Sequence, residues 1–209
     1  MIMPPRLRKF ALTAHVTASV GWLGAVAAFL ALAIAGLTSG DTQMVRAAYL
    51  AMGLTGWFVI VPLSLASLLT GLVQALGTTW GLFRHYWVLA KLLITVVATI
   101  LLLVHMQPVG HLARVVAVTT LVSGQLAGMR VQLVADAAAA LVALLMATGL
   151  SVYKPRGLTA YGLRMQPESA AGPTRELAAP TPRWVVAGII ALVLLFVFRH
   201  LTGMQGGHS

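Results

Sequence analysis

The sequence predicts an all-α membrane protein: a four-helix transmembrane bundle followed by a fifth, C-terminal transmembrane helix. Three observations predict it. Hydrophobic residues make up 59% of the 209-residue chain and charged residues 9%, with a mean hydropathy of +0.92. A soluble domain carries about 25% charged residues, so this chain has too few to clothe a surface in water. The apolar residues also fall into five runs, each near or above the roughly 20 residues that cross the hydrocarbon of a bilayer. Finally, the basic residues sit mostly between those runs, where they set membrane orientation.

The first run extends from about Phe10 to Leu37 and ends at the turn signal Thr38-Ser39-Gly40-Asp41. Arg6, Arg8 and Lys9 precede it, as in a signal peptide, but the run is too long for a signal-peptide core and lacks a clear cleavage site. It reads as a retained first helix. The second runs from about Ala47 to Gly77 with Pro62 at its middle, and the third from about Tyr86 to Met106, ending before Gln107-Pro108. The fourth runs from about Val131 to Tyr153, stopped by Lys154-Pro155, and the fifth from about Trp184 to Leu201.

Two segments lie between. Residues 110–129 are moderately apolar and carry His111 and Arg114, which suits either an interfacial helix or an early start to helix four. Residues 157–182 are rich in Pro, Ala, Glu and Arg and read as a flexible linker. The expected organisation is therefore a four-helix core over 1–156, the linker over 157–182, and the last helix with its tail over 183–209.

Orientation follows from the basic residues. With the N-terminus in the cytoplasm, Arg6, Arg8, Lys9, Arg84, Lys91, Lys154, Arg156, Arg164, Arg175 and Arg183 fall inside. Only Arg46, Arg114, Arg130 and Arg199 fall outside, which is the asymmetry of the positive-inside rule. The net charge of +10 is thus read as a membrane signal, with the bilayer as partner and no nucleic acid. The chain has no cysteine, which excludes protein disulfides, cysteine-held iron–sulfur clusters and thiol nucleophiles. It also lacks a Walker A loop, a dinucleotide fingerprint and an H-E-x-x-H zinc motif.

Ionisable groups at membrane depth are costly and are functional candidates by default. His15 and Lys91 each lie five residues into a helix of the same direction, roughly 8 Å below the inner boundary. Gln74 and Met146 come to about that level from the other two helices. Such a group suits an anionic or redox-active ligand; equally, Lys91 snorkels to the interface and His15 bonds a carbonyl. His105 lies roughly 28 Å along helix three, too far from His15 to share one haem iron. Asp136, roughly 8 Å below the outer boundary, is within reach of His105, which would keep the carboxylate from being buried unpaired. With His111, His200, His208, Met44, Met106, Met129 and Met204 on that side, the outer groups suit copper or ordinary interfacial polarity. Trp80, Trp87 and Trp184 read as an interfacial aromatic belt. Trp22 shares the face of His15, two turns on.

The segment His15-Val16-Thr17-Ala18-Ser19-Val20-Gly21-Trp22-Leu23-Gly24 resembles the first helix of several bacterial membrane families, and Trp87 to Leu93 with the later His105 resembles their third. These include the HemJ-type protoporphyrinogen oxidases and the membrane domain of CopD-type copper proteins. The chain is more similar to an uncharacterised family of small bacterial membrane proteins, whose actinobacterial members resemble it at Leu150-Ser151-Val152-Tyr153-Lys154-Pro155-Arg156-Gly157. The resemblance covers roughly residues 10–160 and leaves out helix five. The HemJ-type resemblance implies haem b held by His15, with Lys91 as a basic partner. The expected function is a bacterial inner-membrane protein binding haem b or a related redox ligand near the cytoplasmic leaflet. The alternatives are copper handling or transport through His105, His111 and Asp136, or a scaffold that binds another membrane protein through helix five.

Overall fold

The computed structural model of the protein describes residues 3–77, 85–118 and 125–153. They form four long helices: α1 (Pro5–Thr38), α2 (Thr42–Gly77), α3 (Tyr86–Val118) and α4 (Gln125–Tyr153). Each is long and apolar enough to cross a membrane. The fifth run, the linker, Trp80, Arg84, Trp184, His200, Met204 and His208 lie outside the described residues.

Helix starts and stops follow local chemistry. Pro5 opens α1 at the first helical position, where its missing N–H costs nothing. At the far end Thr38 returns its hydroxyl to the Ile34 carbonyl, 2.9 Å away, and the Ser39 amide closes on Ala35. The predicted turn follows at once. Asp41 caps α2 by accepting the Gln43 amide at 2.9 Å. Within α2, Gly56–Ile60 forms one π-helical turn, with the Val61 amide reaching back to the Gly56 carbonyl. Pro62 comes immediately after and has no N–H to give, so the wide turn absorbs the break without ending the helix.

All four helices are longer at their ends than their apolar runs suggested. α3 does not stop before Gln107-Pro108 but continues to Val118, and α4 begins at Gln125 rather than near Val131. Residues 110–118 therefore belong to α3, and residues 125–129 to α4, so neither expected form of the 110–129 segment holds as a whole. The physical reason is that stopping a helix in an apolar medium strands several backbone groups, whereas a proline strands one.

Each helix packs on two neighbours: α1 on α2 and α4, α3 likewise on α2 and α4. The result is an up-down-up-down bundle in which α1 and α3 face each other diagonally. Its core is a stripe on α1 (Trp22, Val26, Phe29, Ala33) meeting Tyr49, Met52 and Ile60 of α2, Met106 and Leu112 of α3, and Leu133 and Leu144 of α4. The outer surface is apolar as well. Phe10, Val20, Phe58, Ile100, Val142 and Leu145 are all exposed large hydrophobic residues. A monomer in water rarely presents such a surface, whereas a bilayer is its natural solvent.

Two tight contacts fix the packing. A side chain on Gly36 would stand 2.8 Å from Cζ of Tyr49, and one on Gly56 would stand 2.8 Å from Sδ of Met106. At both places the absence of Cβ lets a large buried residue lie against a neighbouring helix.

Candidate functional site

His15 belongs to the inward row Ala11, His15, Ala18, Trp22 of α1, whose 4-3-4 spacing is that of one helix face. The opposing row on α2 is Ser64, Ser67, Thr70, Gly71 and Gln74, again at helical spacing. The two rows are joined by polar contacts. His15 Nδ1 lies 3.1 Å from the Ser67 carbonyl oxygen and 3.1 Å from the Thr70 hydroxyl. Ser19 and Ser67 share a hydrogen bond of 2.8 Å, and the Gln74 amide donates to the Ala11 carbonyl at 2.8 Å. A side chain on Gly71 would stand 3.0 Å from His15 Cε1, so the bare backbone there makes room for the ring.

These contacts fix the tautomer of His15. The Ser67 carbonyl only accepts, so Nδ1 must carry the hydrogen. Thr70 agrees: its hydroxyl donates to the Ala66 carbonyl at 2.6 Å, leaving its oxygen free to accept from the same Nδ1–H. Nε2 is then the nitrogen with the lone pair. It has no hydrogen-bond partner. Among the described residues no buried side-chain nitrogen or oxygen lacks a partner, so Nε2 keeps accessible surface. Lys91 of α3 stands within electrostatic reach of the ring, and its ammonium also lies 5.8 Å from the centre of the Trp87 ring one turn earlier.

The structure brings together three of the four residues expected at this level and separates the fourth. Gln74 ties α2 to α1 through Ala11 rather than pointing at an open position. Met146 is exposed among Val142, Leu145 and Val152, while Leu133, Ala137, Leu144 and Ala147 form the inward face of α4. Its side chain is thus turned away from the core, a correction to its expected place beside His15. Trp87 is also largely buried. The hydroxyls of Ser67 and Thr70 were not anticipated; the signal was their i, i+3 spacing on the row that ends at Gln74.

The second polar centre lies farther along. His105 Nε2 is 2.7 Å from Asp136 Oδ2, the contact that their positions made reachable, and His105 Nδ1 is 2.7 Å from the Leu101 carbonyl. His105 lies roughly 20 Å from the end of α3 and Asp136 roughly 16 Å from the start of α4. His111 is exposed on another side of α3, and Met106 is buried in the core against Gly56. The expected collection of metal donors is therefore dispersed. His105 uses both nitrogens, and among the described residues no three His, Cys, Asp or Glu side chains group to hold a metal ion.

One further polar cluster centres on Arg130, which in the sequence carries only an orientation signal. Arg130 of α4 donates Nε to the Tyr49 hydroxyl at 3.0 Å and Nη2 to the carbonyls of Gly36 and Leu37. Those carbonyls end α1 without intrahelical partners, and a cation suits the negative end of the helix dipole. The chain matches no protein-family model, no curated protein and no solved structure.

Proposed function

We propose that this chain is a polytopic protein of the bacterial cytoplasmic membrane that holds haem b, or a related redox ligand, through His15. One observation carries the reading: His15 keeps its hydrogen on Nδ1, bonded to Ser67, and leaves the Nε2 lone pair unengaged. A histidine that ligates a metal almost always donates its other nitrogen in this way, which fixes the ring and raises its basicity. The residues at hand fit such a group: His15 would hold its iron and Lys91 would offset the charge of a propionate. Met146 does not fit as a second ligand, because it faces outward. Haem held there would supply one-electron chemistry.

The chain's own residues divide the work. Ser67 and Thr70 orient the imidazole, Gly71 gives it space, and Gln74 holds α1 and α2 in register beside it. The N-terminus lies in the cytoplasm, as the ten-to-four division of Lys and Arg favours, which sets His15 toward the cytoplasmic leaflet. The resemblance at His15 and Lys91 to HemJ-type proteins supports the same ligand. An absorption spectrum of the detergent-purified protein, expressed with haem supplied, is the test. A Soret band in the wild type that is lost in His15→Ala and kept in His105→Ala supports the reading; no band in the wild type removes it.

A further inference from the structure

Along α1 the character of the surface changes at one residue. Arg6, Arg8 and Lys9 occupy the first turns, and all three are exposed. From Phe10 to Thr38 the helix carries no Lys, Arg, Asp or Glu. Its exposed large side chains are apolar from there on: Phe10, Leu12, Val16, Val20 and Ile34. On a helix that spans a bilayer, such a step marks where hydrocarbon gives way to headgroups. The three cations lie within roughly 5 Å of one another along the axis, and the headgroup layer is roughly 6 Å deep. They therefore share one level, that of the lipid phosphates.

No carboxylate among the described residues answers their charge. None of the three side chains has an ion-pair or hydrogen-bond partner there, and the first turn of α1 holds no acidic residue. Asp41 lies beyond the other end of α1, and Asp136 is paired with His105. Across the whole chain 14 Lys and Arg face 4 Asp and Glu, so complete pairing would still leave a charge of +10. Arg6 and Lys9, three residues apart, are neighbours on one face of the helix and repel each other. Phe10, four residues after Arg6, lies on that face too, which turns away from the inward row of Ala11, His15, Ala18 and Trp22.

The cluster is also held in place. The Met3 amide donates to the Gly77 carbonyl at 3.2 Å, which ties the chain just before α1 to the end of α2. The charges thus stand on an anchored helix, and their side chains lose little freedom beyond their own on meeting a partner.

We propose that the first turns of α1 form a binding surface for the headgroup of an anionic phospholipid. Arg6, Arg8 and Lys9 supply the positive charge, and Phe10 lies against the upper part of the acyl chains. A zwitterionic headgroup brings its own cation to the same level, so only a lipid of net negative charge relieves the repulsion.

The test uses the full chain reconstituted in phosphatidylcholine vesicles that contain a trace of spin-labelled phosphatidylglycerol or spin-labelled phosphatidylcholine. Electron paramagnetic resonance reads the fraction of each label that the protein restricts. The wild type should favour phosphatidylglycerol about threefold or more at low salt, and the preference should fall as sodium chloride is raised. Arg6→Gln/Lys9→Gln changes only exposed side chains and keeps Arg8 as an insertion signal; it should lose most of the preference. Arg46→Gln/Arg114→Gln removes the same charge at the opposite end and should lose much less. Equal restriction of both labels by the wild type overturns the proposal, as does an unchanged preference in Arg6→Gln/Lys9→Gln. Equal losses in the two double variants also overturn it, because net charge would then account for the preference. Inorganic phosphate that abolishes the preference at constant ionic strength overturns it as well, since the surface would then take a free anion.

Discussion

Nδ1 of His15 lies 3.1 Å from the carbonyl oxygen of Ser67, across the contact between α1 and α2. Because the carbonyl can only accept, this one hydrogen bond decides which imidazole nitrogen is available. It also ties the availability of Nε2 to helix packing, so residues that never touch a ligand should still govern binding.

Gly71 is the first such residue. A Cβ there meets His15 Cε1 at 3.0 Å, closer than ordinary contact, and the ring cannot retreat without leaving Ser67 and Thr70. Gly71→Val should shift or weaken any haem spectrum while the protein remains folded, as followed by circular dichroism in detergent. Ser67→Ala keeps the backbone carbonyl and should leave the spectrum close to that of the wild type.

Glycines 36 and 56 look alike in the sequence but should differ on substitution. At Gly36 a new Cβ meets the ring of Tyr49, which is rigid and held by Arg130. Gly36→Ala should destabilise the bundle by about 1–3 kcal/mol through overpacking. At Gly56 the neighbour is the flexible end of Met106, and alanine gains about 1 kcal/mol of helix propensity. Gly56→Ala should be near neutral. Unfolding titrations with sodium dodecyl sulfate from mixed micelles compare the two.

Arg130 should be the most sensitive exposed-end charge. Arg130→Met strands the Gly36 and Leu37 carbonyls and the Tyr49 hydroxyl, a loss of about 1–3 kcal/mol if they stay dry. Tyr49→Phe removes one of the same contacts. The double variant should therefore lose less than the two single losses added together, measured in the same titration.

The two partners of the second centre should show the same kind of coupling, more strongly. Asp136→Leu or His105→Leu alone leaves one buried polar group without its partner and should cost about 3–5 kcal/mol. Replacing both with leucine should restore much of that loss. Unfolding titrations with sodium dodecyl sulfate measure both the single losses and the recovery.

Four membrane-spanning helices were legible because the apolar runs are long and their ends carry strong signals: Thr38-Ser39-Gly40-Asp41 became a helix end, a turn and an N-cap. The ends of α3 and α4 were less so, since a Gln-Pro step reads as a stop in water and not in lipid. Distance from a helix end is therefore legible for His15, close to a marked end, and less so for His105 and Asp136, whose helices run on. Pairing of His105 with Asp136 does not depend on where those ends fall. Facing was the harder matter. Helical spacing put Trp22 beside His15, but depth alone chose Met146, and depth does not say which side of α4 a residue occupies. Arg130 was hidden for another reason: its partners are backbone carbonyls at the end of α1, which no side-chain pattern announces.

The claim that His15 Nε2 is a ligand atom is tested most directly by removing the ring and returning it as a free molecule. His15→Gly, purified with haem present, should lack the wild-type Soret band, and added imidazole should restore a band at the wild-type position. A wild-type spectrum that persists in His15→Gly without imidazole would contradict the assignment.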